Sequence, residues 1–273
     1  GESFDYAQAV DMLESLGAEP LADRRGQRVG VANRRGAGGI AGPSHSAQPP
    51  PSGYPLLCAQ GAPLSLTPHA FKSVPYDVER DFEPIIFAAY GPLVLASSPK
   101  LPVTGVAELI ELARRQPGKL SFATASARSI PHLAGEYFLK AANVEMVNVP
   151  YNGYPRAIQD TIAGTIDVIF GGAQIIPQRE TGNLRMLGVT SAKRLPDYAD
   201  IPTIGEAGLP GLHVSYWHGL WAPKGTASEI VSTINAAVVS ALAGPNVQQR
   251  YAAQGQDVWP HERQTPAALA AYH

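Results

Sequence analysis

The chain has 273 residues, with 21 Lys and Arg against 23 Asp and Glu, a net charge of −2, and 45% apolar residues. That length suits one large domain or two medium ones with a real core, and the near-zero charge, without a basic tract, argues against nucleic acid or anionic membrane as partners. One cysteine, Cys58 in the apolar run Leu56–Ala59, excludes an internal disulfide and a Cys-rich metal site and reads as an inert core thiol. No apolar run is long enough to span a bilayer, and no secretory leader is read at Gly1.

Taken in order, Ser3 or Asp5 caps an expected helix to Leu16, with Ala9, Val10, Leu13 and Leu16 on one face and Gly17 ending it. Val29–Ala32 reads as a short strand before a glycine-rich loop, Asn33–Gly39, which lacks the G-x-G-x-x-G spacing of a dinucleotide site. A helix from Pro43 must stop by Pro49-Pro50-Pro51. Tyr54–Gln60 reads as a strand, Gly61-Ala62-Pro63 as a loop, and Tyr76–Phe82 as a charged turn. Pro84–Ala89 and Leu93–Ser97 read as two further strands.

From Leu101 strands and helices alternate. Val106, Leu109, Ile110 and Ala113 mark a helix ending at Pro117-Gly118. Strands are expected at Leu120–Phe122, Val144–Tyr151, Ile166–Phe170 and Leu184–Thr190, with helices from Pro131, over Pro155–Ala163 and, briefly, over Ala173–Gln178. This alternation predicts an α/β fold with a parallel, doubly wound sheet. A long Pro/Gly/Asp-rich connection follows, then an aromatic strand over His213–Trp221 and helices through Ile230–Leu242 and Pro245–Gln254.

The stretch Lys119–Leu133 carries the chemistry. A strand gives way to the small-residue turn Ser126-Ala127-Arg128-Ser129 and then to a helix with Pro131 in its first turn. Free backbone N–H groups and the positive end of the helix dipole suit such a turn to an anion, though many α/β proteins carry one without binding anything. No G-x-S-x-G elbow accompanies Ser126, Ser129 and His132, and His213 and His218 have no carboxylate or cysteine at ligand spacing, so neither catalysis nor a metal site is expected. His132 reads as a helix-start hydrogen-bonding residue, Asp167 as a tether for a neighbouring loop, and Trp217 and Trp221 as packing residues.

Several phrases fit one family in order and spacing. They include Gly36-Ala37-Gly38-Gly39, Gly53-Tyr54, Pro75-Tyr76-Asp77, His132-Leu133-Ala134-Gly135-Glu136, Val149-Pro150-Tyr151-Asn152-Gly153, Gly188–Arg194, Glu206–Gly211 and Ala222–Thr226. Over nearly its whole length the chain resembles the Bug-type, TctC-like extracytoplasmic solute receptors of tripartite tricarboxylate transporters. The resemblance implies a two-lobed periplasmic-binding-protein fold of the Venus-flytrap, type II kind. Lobe 1 would comprise residues 1–97 and 215–273 and lobe 2 residues 98–214, with a ligand cleft between them.

It also implies a periplasmic, non-enzymatic monomer without cofactor or metal. Such a receptor closes on a small carboxylated metabolite (dicarboxylate, amino acid or aromatic acid) and delivers it to a membrane permease. A sensor's ligand-delivering partner, or a paralogue that has lost binding, are the alternatives. The ligand residues implied by position are Ser3, Asp5, Gly61, Ala62, Thr124, Ala125, Ser126, Arg128, Ser129, Tyr151, Gly171 and Gly172, with Gly153 in the same loop as Tyr151.

Three departures from the family pattern stand out. Its opening strand and first Pro-Pro-Gly are absent before Gly1, so a trimmed chain or an incomplete lobe 1 is expected. A shortened helix is expected in Pro43–Ser52. Ser126 and Arg128 stand where glycines are usual, so the loop backbone is expected to differ. Arg128 can clamp a ligand carboxylate bidentately or fill and guard the cleft. Tyr151 can line the cleft or pack in the core.

Overall fold

The computed structural model describes residues 32, 34, 39–253 and 255–272. The helix expected from Ser3 to Leu16 and the strand at Val29–Ala32 lie outside them, apart from Ala32 itself. In chain order the elements begin with α1 (Ala41–Ser46), β1 (Leu57–Gln60) and a π-helical turn (Ala62–Leu66) running into α2 (Thr67–Ala70). Then come α3 (Val78–Asp81), β2 (Phe82–Ser97), α4 (Val106–Arg115), β3 (Ser121–Thr124), α5 (Ile130–Ala142), β4 (Val147–Pro150) and α6 (Tyr154–Ala163). After β5 (Val168–Gly172), a 3-10 helix (Ala173–Arg179) leads to β6 (Arg185–Val189), and the chain continues through β7 (Ser215–Pro223), α7 (Ser228–Leu242) and α8 (Pro245–Ala253). It closes with β8 (Asp257–Val258) and α9 (Pro266–Ala270).

These elements form two compact units, and the chain passes between them at Tyr90–Gly91 and Tyr216–Trp217. One, here the inserted unit, is Gly91–Tyr216. The other, the split unit, consists of the described residues on either side of it.

In the inserted unit β3 lies between β4 and β5 and is parallel to both, while β2 runs antiparallel to β5 and β6. The sheet is therefore mixed, where the alternation of helices and strands predicts a wholly parallel one. Helical crossovers set direction only for the strands they join, and β3, β4 and β5, joined by α5 and α6, do run parallel. β2 enters from the split unit and runs against them. Side chains alternate across the sheet, so Leu93, Leu95, Phe122, Val168 and Phe170 face one core and Val94, Ala96, Ala123 and Ile169 face another. Val106, Leu109, Ile110 and Ala113 of α4 and Ala134, Phe138 and Ala142 of α5 fill the first core; Tyr154 and Ala157 of α6 fill the second. Burying both faces is why these strands read as continuous apolar runs.

Thr190 closes this unit at its ends. Its N–H donates to Leu93 O at 2.9 Å, its Oγ1 accepts from Leu93 N at 2.8 Å, and its carbonyl accepts from Val214 N at 3.2 Å. The hydroxyl in turn donates to Val214 O. Leu93 and Thr190 are buried and Val214 half-buried, and an unmade bond at the buried pair would be costly.

In the split unit β1 pairs antiparallel with β7, Leu57 opposite Trp221, and β8 pairs with β2, Ala89 opposite Val258. Val231, Ile234, Val238 and Leu242 of α7 pack on Ile85, Ala89 and Leu220, and Asn235 Nδ2 donates to Ile85 O and Gln264 O at 2.9 Å each. A second cluster is aromatic: Phe87 meets Trp217 edge-on at 5.0 Å, and Trp259 at 4.8 Å.

Two expectations are corrected here. The strands expected at Pro84–Ala89 and Leu93–Ser97 are one strand, β2, through Gly91-Pro92. Proline's φ suits an extended chain and it lacks only a donor. Gly61-Ala62-Pro63, expected as a loop, starts a helix: Gly61 has φ −61° and ψ −33°, and Pro63 falls in the first turn, where its missing N–H costs nothing. The charged turn at Tyr76–Phe82 contains a helical turn, α3, capped by the Asp77 side chain, which accepts from Arg80 N at 2.8 Å.

Candidate functional site

Because β5, β3 and β4 are parallel, the loops that follow Thr124, Pro150 and Gly172 leave the same edge of the sheet, its carboxyl end. Ligands of open α/β sheets bind in crevices at that edge. Backbone bonds tie two of these loops together: Tyr151 N donates to Thr124 O at 2.9 Å and Gly153 N to Ala125 O at 2.7 Å. Asn148 Nδ2 adds a bond to Thr124 Oγ1 at 3.3 Å.

The first loop is built around the start of α5. Ser129 caps the helix, its Oγ accepting from His132 N at 3.4 Å and donating to Ser126 O at 2.7 Å. Arg128 adopts the left-handed φ of 59°. A residue with a β-carbon resists this conformation, and a local bond accompanies it here. His132 Nδ1 accepts the Arg128 N–H at 2.8 Å, which offsets the strain. With Nδ1 as acceptor the ring proton sits on Nε2, 3.4 Å from Glu136 Oε1. Thr124 and Ala125 are buried, Ser126 and Ser129 half-buried, and Arg128 exposed.

Tyr151 gives its hydroxyl proton to Asp160 Oδ2 at 2.9 Å, and Arg156 Nε binds the same oxygen at 2.9 Å. Those two partners, Arg156 first, hold the Asp160 carboxyl below the usual carboxylate range. The Tyr151 hydroxyl is pushed up to about 12, by desolvation first and then by its bond to Asp160. Toward a ligand this hydroxyl therefore presents its oxygen, an acceptor.

In the third loop, a β-carbon on Gly171 would stand 2.9 Å from Ile175 and one on Gly172 2.1 Å from the Gln174 carboxamide. Both glycines give their neighbours room.

Asp167 lies at the opposite edge, before β5. Its Oδ2 accepts from Ser121 N at 2.8 Å and Ser121 Oγ at 2.9 Å, so it tethers the start of β3 as its position suggests. Gly61 and Ala62 belong to the split unit, where a β-carbon on Gly61 would stand 2.1 Å from Trp217 Cε2. Ser3 and Asp5 lie outside the described residues. Trp217 and Trp221 are buried in the aromatic cluster. Burial lowers His218 to about 4 and pushes the Cys58 thiol up to about 12, leaving both uncharged at neutral pH. Among the described residues no three His, Cys, Asp or Glu side chains come together to hold a metal.

Sequence reasoning missed Asn148, Asp160 and Gln174. Each reads as an ordinary polar surface residue, and only the meeting of the three loops gives it a part.

The arrangement offers backbone N–H groups and small side chains at one edge of the sheet. Bordetella pertussis BugT is 33% identical over 254 residues, covering 92% of this chain and 78% of that protein. The structure of R. palustris Rpa4515 with adipate superposes with a TM-score of 0.88 at 31% identity, covering 96% of this chain and 87% of that one. MatC from Rhodopseudomonas palustris with bound malate gives 0.86 at 27% identity, covering 97% and 90%. The fold is thus that of the periplasmic binding proteins. Residues 16–272 match the tripartite tricarboxylate transporter family receptor, TctC, and the chain belongs to that family of solute-binding receptors.

Proposed function

We propose that this receptor binds a small carboxylate in the periplasm and hands it, unaltered, to the membrane permease of a tripartite transporter. The observation that carries the reading is that three loops leave the carboxyl end of β5, β3 and β4, those after β3 and β5 rich in small residues and the first of these opening the thirteen-residue helix α5. A carboxylate leaving water needs several donors at once. Backbone N–H groups of the Thr124–Ser129 loop, with the positive end of the α5 dipole behind them, supply donors without a competing negative charge. Thr124, Ala125, Ser126, Ser129, Gly171 and Gly172 line this edge in the proposal, with Arg128 as the cation for a second carboxylate. Tyr151 holds the β4–α6 loop in place. Gly61, Ala62, Ser3 and Asp5 enter only through their positions in the family pattern. The malate and adipate held by the two R. palustris proteins support the ligand class.

The test is thermal unfolding against a panel of mono-, di- and tricarboxylates, amino acids and aromatic acids. A ligand at about 100 times its Kd adds about 2.7 kcal/mol of stability. A clear shift, with the acid recovered unchanged, supports the reading; a flat panel defeats it.

A further inference from the structure

Gln174 is the second residue of the 3-10 helix that follows β5, at the edge where the three loops meet. Its Oε1 is buried and accepts no hydrogen bond from the described residues. A buried acceptor without a donor is costly, and proteins rarely keep one idle. Room is made for it: the carboxamide folds back over Gly172 into space that a β-carbon there would fill, 2.1 Å from Oε1. The backbone at Gly172, φ −72° and ψ 170°, is open to any residue, so glycine is needed there for the space and not for its dihedrals.

We infer that the Gln174 carboxamide accepts a hydrogen bond from a hydroxyl or ammonium group carried by the ligand beside its carboxylate, and so selects 2-hydroxy or 2-amino acids over the bare acid. This deepens the carboxylate reading and rests on it. The loop N–H groups serve the carboxylate, which all these acids share. Gln174 Oε1, which can only accept, distinguishes a ligand that brings a donor. A site built to pair with a substrate's O–H or N–H discriminates against the analogue that lacks it, because its own polar group is then left unpaired.

The experiment is calorimetric titration of the protein with matched sets: propionate, lactate and alanine; succinate, malate and aspartate; glutarate, 2-hydroxyglutarate and glutamate; phenylacetate, mandelate and phenylglycine. Within the set that binds, the hydroxy or amino acid is expected to bind about 10-fold tighter than the bare acid. The arm that gains names the donor. In Gln174→Leu the ratio falls to within about twofold, with the bare acid's affinity kept. Gln174→Met, which keeps the length of the side chain without its acceptor, does the same. Equal affinities in the wild type, or a preference that survives both variants, overturn the role of Gln174 and leave carboxylate binding standing. No binding in any set overturns both.

Discussion

The imidazole Nδ1 of His132 accepts the backbone N–H of Arg128, four residues earlier, at 2.8 Å. One side chain thus holds a left-handed arginine at the mouth of α5, where glycine would need no such support. His132→Ala should lower the unfolding free energy by about 1 kcal/mol, the worth of one hydrogen bond. Arg128→Gly in that background should restore a good part of the loss. Urea denaturation of the three proteins reads this directly, and a His132→Ala protein as stable as its parent would show that the loop holds itself.

Asp167 and the candidate ligand loops occupy opposite edges of one sheet. Asp167→Ala removes two bonds to Ser121 and should cost about 1–3 kcal/mol of stability. Its affinity for a bound acid should stay within about twofold of wild type, since one hydrogen bond to a ligand would be worth more than that. A large affinity loss in a protein that is still folded would place Asp167 in the binding machinery.

Gly61 and Gly172 both leave no room for a β-carbon, but what they face differs. A methyl on Gly61 meets the rigid indole of Trp217, 2.1 Å from Cε2; on Gly172 it meets the mobile end of Gln174. Gly61→Ala should therefore destabilise by about 1–3 kcal/mol through overpacking, although its φ of −61° suits alanine. Gly172→Ala should stay within about 0.5 kcal/mol of wild type. Equal melting temperatures for the two variants would mean that the indole yields as readily as the amide.

His218 is buried and uncharged, its pKa lowered by desolvation from 6.5 to about 4. The unfolded chain binds a proton near pH 6.5, and the folded chain does not until about 4. His218 therefore contributes full stability above pH 6.5, and that contribution drains away as the pH falls toward 4, by about 3 kcal/mol in all. The difference between stability curves of wild type and His218→Gln over pH 4–8 isolates it. A difference that does not change with pH would place the imidazole in contact with water.

The strands and helices between Leu101 and Val189 were legible because their apolar positions recur at the periods of a sheet buried on both faces. So was the loop before α5, since a strand, small residues, Pro131 and a helix follow one another in only a few ways. Three things were not legible. The direction of β2 depends on how it enters from another unit. The helical start at Gly61 depends on Trp217, which lies far along the sequence and excludes any side chain from that position. The polar residues Asn148, Asp160 and Gln174 carry no local signal, because their roles are defined by partners or by the lack of one.

Thr190 bonds both Leu93 and Val214, each two residues inside an end of the inserted unit. The segment's two ends are thus fastened by a residue of its own. A new chain opening placed in one of the surface turns of residues 91–216 would leave that fastening intact.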